Sequence, residues 1–236
     1  MKTVEPGEIT SCVEDFLREG QDTPASRRRE RSWDFCFNHF QDHERPTQVM
    51  ELSCLHLGYY LASWGMLRGS SFLFRETNLL HYRPVIEVIE THNSTLRGTD
   101  VVHYRDADAA AHIWSAWSDL RKALVPHGAR SITLVSKVMM GVWGCLPSFD
   151  TYFIKTFAGL AETKAERGAL ANARAASLGL LADFYDAHAV EIDSLCDRYG
   201  ALDFESGART ARKLTRAKVI DIFGFQRAYA HSSHPQ

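Results

Sequence analysis

Ile132-Thr133-Leu134-Val135-Ser136-Lys137-Val138-Met139-Met140-Gly141-Val142-Trp143-Gly144-Cys145-Leu146 is a long apolar run with one charge, Lys137, inside it. Its β-branched residues leave strand and helix both open by periodicity. Its length, and Ser131 and Thr133 at its start, favour a buried helix. Pro147 then predicts a second helix running through Phe153 and Phe157 toward Leu160, with Asp150 in its first turn.

Working outward, helical signals recur along the chain. Upstream, Asp106 to Val125 is Ala-rich and amphipathic, carrying Ile113, Trp117, Leu120 and Leu124, and Pro126 stops it. Pro84 opens a helix to about Glu90. Thr47 to Met66 is apolar around most of its circumference (Met50, Leu52, Leu55, Leu57, Tyr60, Leu61, Trp64), which predicts a helix in the middle of a domain. Trp33, Phe37 and Phe40 recur at helical spacing ahead of Pro46. Downstream, Ala175–Tyr199 reads as a long helix and Leu214–Phe225 as the last. The expectation is an all-α fold, a compact bundle of seven to eight helices in a single domain over 31–230. A loosely packed N-terminal arm (1–30) precedes it, and a frayed tail (231–236) follows.

Length and composition agree with a globular chain. The protein has 236 residues, 45% hydrophobic and 24% charged, enough for a substantial core and far from disordered or fibrous composition. With 27 Lys+Arg against 29 Asp+Glu the formal charge is −2, so no global field demands a nucleic-acid or membrane partner. The N-terminus lacks a signal-peptide pattern, and no stretch reaches the ~18 apolar residues of a bilayer span. The five cysteines (Cys12, Cys36, Cys54, Cys145, Cys196) are scattered and odd in number, which points to reduced thiols and a cytoplasmic location. No Walker loop, Rossmann fingerprint, kinase signature, G-x-S-x-G elbow or H-E-x-x-H motif is present, and no cofactor or metal is expected.

The residues with the clearest chemical content lie in Val135–Asp150. Lys137 is a lone cation in an apolar helix, Gly141 and Gly144 permit close backbone approach, and Asp150 follows Pro147 by three. Ser136-Lys137 opening into Pro147-Ser148-Phe149-Asp150 resembles helix-hairpin-helix DNA glycosylases, and uncharacterised bacterial proteins sharing a Ser-Lys…Pro-x-x-Asp block, over about residues 130–160. That resemblance implies an enzyme that extrudes a base and cleaves its glycosidic bond. Asp150 would stabilise oxocarbenium-like charge or activate water, and Lys137 would form a Schiff base with the sugar. The plainer alternative is that Asp150 complements a helix dipole and Lys137 snorkels from the core edge.

Four arginines are candidate phosphate ligands. Arg68 follows an apolar helix where only a specific partner justifies a cation; an intramolecular salt bridge is the other reading. Arg209, Arg212 and Arg216 fall at i, i+3 and i+7, which on a helix would line one face; the alternative is pairing with the acidic stretch Asp183–Glu205 or a solvated face. Cys36, His39 and His43 have one-face ligand spacing but no second cluster, and Trp33, Phe37 and Phe40 already explain that helix as core. Two functions follow as expectations: a nucleic-acid-acting, glycosylase-like protein, or a non-enzymatic interaction subunit with protein partners or copies of itself. The first needs Lys137, Asp150 and Arg68 to converge on one concave pocket. The second needs an exposed apolar patch.

Overall fold

The computed structural model describes residues 1–18, 27–126 and 132–233. Among them are eleven α-helices and one two-stranded antiparallel sheet, so the chain is mostly α. In chain order the helices are α1 (Glu8–Leu17), α2 (Ser32–Asp42), α3 (Met50–Ser63), α4 (Phe72–Glu76), α5 (Arg83–Leu96), α6 (Ala107–Leu124), α7 (Ile132–Val142), α8 (Thr151–Leu160), α9 (Lys164–Asn172), α10 (Ala175–Arg198) and α11 (Arg216–Ser233). The strands β1 (Gly200–Leu202) and β2 (Arg209–Lys213) lie between α10 and α11. No described helix is long and apolar enough to cross a membrane.

The apolar run is the centre of the molecule. Every residue of α7 from Leu134 to Val142 is buried, and α2, α3 and α6 pack around it. The helix stops at Val142, earlier than its composition suggests, because Gly144 turns left-handed (φ 63°). Residues 145–149 remain buried but non-helical, so their backbone groups need partners from elsewhere. Thr215 Oγ1 donates to the Gly144 carbonyl (2.7 Å) and Tyr104 Oη to that of Cys145 (2.8 Å). Ser148 N–H donates to Asp221 Oδ1 (2.8 Å), and Phe149 N–H to Ser136 Oγ (2.9 Å). Helix α8 therefore starts at Thr151, not at Pro147. Asp150 is its N-cap rather than a first-turn acid, accepting from Tyr152 N–H (3.0 Å) and Phe153 N–H (2.9 Å).

Three other sequence expectations change. Residues 1–18 of the N-terminal arm are packed: Ile9, Val13 and Phe16 of α1 are buried, and α1 lies against α10 and α11. The remainder of the arm includes residues 19–26, which lie outside the described set, as do 234–236 of the tail. Helix α3 is not apolar-buried all round. Leu52, Leu55 and Tyr59, at helical spacing, are 45%, 48% and 69% exposed, and Tyr60 and Leu61 face the core. Arg209–Lys213 is a strand with alternating exposure, not a helix, because Gly207 (φ 65°) turns the chain back onto β1.

Gly141 supports the central packing directly. A Cβ there would lie 2.4 Å from Cε1 of the buried Tyr60. Gly141→Ala should cost about 1–3 kcal/mol in chemical denaturation through overpacking. Gly159→Ala on α8, where nothing lies within 4 Å, should be neutral or stabilise by up to ~1 kcal/mol through helix propensity.

Candidate functional site

A cleft of about 790 Å³ opens where the α3–α4 connection, the start of α7, the start of α8 and the end of α11 meet. Its walls are aromatic: Trp64, Phe72, Tyr152, Phe225 and Tyr229. Phe225 and Tyr229 are stacked (5.3 Å, 16°), and Tyr152 meets both edge-on. Trp64 meets Phe225 edge-on as well (5.6 Å, 89°).

Lys137 and Asp150 meet in this cleft. Lys137 is 4% exposed and its Nζ lies 3.3 Å from Asp150 Oδ2, while the Asp150 side chain is 14% exposed. The same ammonium lies 4.8 Å from the centre of the Trp64 ring. Asp150 is thus held at both oxygens, Oδ1 by the start of α8 and Oδ2 by Lys137. The helix-start role and the ion pair coexist in one residue. Lys137 does not snorkel to solvent.

Arg68 also lines the cleft, on the exposed turn after α3. Among the described residues no acid forms a salt bridge with it. Arg29 lines the same cleft, lies 5.6 Å over the Trp64 ring, and faces Glu30 at 3.8 Å. Arg29 belongs by sequence to the N-terminal arm; nothing in its local sequence distinguishes it from Arg27 or Arg28, and only the fold sets it beside Trp64. The Trp64 indole nitrogen is inaccessible to solvent and has no hydrogen-bond partner among the described residues.

A second buried ion pair supports the floor from behind. Lys218 Nζ lies 2.9 Å from Asp221 Oδ2, and both residues are buried. Asp221 Oδ1 holds Ser148 N–H, so this pair anchors the segment that delivers Asp150. Lys218 also lies within 6 Å of the Phe16, Trp33 and Trp64 rings. Between the two pairs sits Tyr60, whose phenol is pushed far up by burial, with further upward pressure from Asp221 and Asp150.

The structure does not bring Arg209, Arg212 or Arg216 to this cleft. Arg209 donates to the backbone carbonyls of Arg198 and Asp197, and Arg212 to Asn38 Oδ1 and Asp42 (both 2.7 Å). Arg216 donates to Asp193 (2.7 Å) and the Tyr185 oxygen (3.1 Å). The pairing of this basic run with the preceding acidic stretch is realised at Asp193 and Asp197.

Arg212 instead lines a separate cavity of about 490 Å³ with His39, His43 and His56. The His39 ring lies between the other two, 4.4 Å from His43 and 4.3 Å from His56, and its Nε2 bonds Ser53 Oγ (2.9 Å). Cys36 is buried in the core, its thiol pushed up by desolvation, and does not join these histidines as a ligand. Among the described residues no three His, Cys, Asp or Glu side chains are disposed to hold a metal.

No family model, curated protein or solved structure matches this chain.

Two measurements test these arrangements. Lys137→Met leaves the Asp150 carboxylate without its cation and should destabilise the fold by about 3–5 kcal/mol; the Lys137→Met/Asp150→Asn double variant, which retains a capping oxygen, should recover part of that loss in a double-mutant cycle. His39 titrates at about 3, lowered first by burial and then by His56 and His43. A lowered imidazole stabilises the fold fully above its unfolded value of ~6.5, and that stability is lost as pH falls toward 3, at up to about 1.4 kcal/mol per pH unit. Asp34, raised to about 6 by burial, works in the opposite sense, gaining stability as pH falls through 6. The difference in unfolding free energy between wild type and His39→Gln isolates the histidine and should shrink from pH 7 to pH 4.

Proposed function

We propose that the cleft binds a nucleotide and that the protein is a glycosylase-like hydrolase acting on the bond between base and sugar. One observation carries the reading: Lys137, Asp150 and Arg68, far apart in sequence terms or on different elements, converge on a single concave, aromatic-walled cleft. Flat aromatic walls suit a base. Arginine at the mouth suits phosphate. A carboxylate at the floor suits the cationic sugar of a glycosidic transition state. Within a nucleic acid the base must leave its stack to reach that floor.

Lys137 makes its contacts as a cation, to a carboxylate and a ring face, so we assign it the role of fixing Asp150 rather than of nucleophile. Asp150 presents negative charge to the sugar carbon as the base departs. The five free cysteines support a reducing, cytoplasmic setting.

The exposed Leu52, Leu55 and Tyr59 face of α3 favours the second reading, a protein-interaction subunit docking a partner or another copy.

Release of free base, followed by chromatography from a pool of mononucleotides, a single-stranded oligonucleotide and a duplex, separates the two. Wild type should release base, and Asp150→Asn should lower the rate by about 10²-fold or more. No release by wild type from any member of the pool overturns the hydrolase reading.

A further inference from the structure

We infer that the substrate is a free nucleotide rather than a nucleotide within a strand or duplex; this rests on the hydrolase reading above. A protein that grips a polynucleotide neutralises several successive phosphates with accessible cations along a track. The described chain has two dense basic runs, Arg27–Arg31 and Arg209–Lys218, as natural sources of such a track; in the first, Arg28 faces Glu30 (3.5 Å) and Arg31 pairs with Asp34 (3.2 Å), and in the second all five cations carry intramolecular partners. Arg209 holds two carbonyls, Arg212 holds Asn38 and Asp42, Lys213 holds Asp197 (2.7 Å), Arg216 holds Asp193, and Lys218 is buried against Asp221. Arg105 likewise is clasped by Asp183 and Asp186 (2.6 Å each). Formal charge over the whole chain is −2, so there is no long-range attraction to a polyanion.

Positive charge is available instead at the cleft mouth, where Arg68 is unpaired among the described residues and Arg29 is only loosely paired. Two cations suit the one phosphate group of a mononucleotide. The cleft volume of about 790 Å³ is that of a small-molecule pocket. Ser70, Thr133 and Thr151 line it too.

The reaction balances with water alone. The C1′–N bond breaks and its electron pair leaves with the base, which takes a proton from solvent. A water oxygen bonds to C1′ and loses its proton to solvent. The products are the free base and a sugar phosphate, with Asp150 facing the positive charge that builds at C1′.

The test uses the full chain and three probes: an equimolar set of ribo- and deoxyribonucleoside 5′-monophosphates, a 20-nucleotide single strand, and the corresponding duplex. Binding is followed by titration calorimetry between 50 and 300 mM salt, and base release by chromatography. The expected result is binding and base release with the monophosphates and a shallow salt dependence. Arg68→Ala, an exposed change that does not threaten folding, should weaken monophosphate binding by about tenfold, and Arg212→Ala should leave it unchanged. Base release confined to the strand or duplex, or a steep salt slope that Arg212→Ala reduces, overturns this inference and leaves the hydrolase reading standing. Monophosphate binding that Arg68→Ala does not weaken also overturns it. Absence of binding and release with all three probes overturns both.

Discussion

A short piece of irregular backbone, residues 144–150, runs through the interior of this protein, and everything around it is arranged to satisfy it. Buried peptide groups without partners are costly, and here neither helix nor sheet supplies the partners. Side chains do: Thr215, Tyr104, Asp221 and Ser136, drawn from different elements, each hold one of the segment's backbone groups. The apolar helix α7 brings the segment into the core, and α8 leaves from its end. Because the segment is pinned at Gly144, Cys145, Ser148 and Phe149, Asp150 is delivered to the cleft in a fixed position. A preorganised carboxylate of this kind is what an electrostatic active site requires.

The interior charges follow from the same arrangement. Asp221 anchors the segment and needs a cation, which Lys218 provides; Asp150 caps α8 and needs one too, which Lys137 provides. Two buried ion pairs add little net stability compared with apolar packing, but removal of either partner is costly. Both ammonium groups lie against the Trp64 ring, so this tryptophan is the common wall between the structural pair and the cleft. Its other neighbours, Phe16 and Phe225, tie the N-terminal helix and the last helix to the same point.

The helical class was legible because apolar periodicity is a local property. The spacing of Trp33, Phe37 and Phe40, the Ala-rich stretch before Pro126 and the length of the run from Ile132 each specified a helix without reference to the rest of the chain. The chemical residues Lys137, Asp150 and Arg68 stood out for a related reason: a charge amid apolar residues is conspicuous wherever it falls. Boundaries were less legible. Gly144 could end α7 or sit within a longer helix, and Pro147 could open α8 or precede its cap. Competition for Ser136, Thr215 and Asp221 decides between these, and that competition is long-range. The arginines at 209 and 212 show the same limit in sharper form, since they fall on a strand once Gly207 reverses the chain against β1, while Arg216 begins the next helix.

The amino-acid sequence by itself determined that this is a mostly helical chain with a central apolar segment carrying a single cation, because those features depend only on residue type and spacing; that the cation is buried came from the packing. The tertiary structure alone decided which charges remain available. Lys137, Asp150, Arg29 and Arg68 come from four separate stretches of chain and meet in one cleft, whereas Arg209, Arg212 and Arg216 are drawn into internal bonds. Ion pairing and hydrogen bonding depend on distances of a few ångströms between residues remote in sequence, and the packing of the helices around α7 sets those distances.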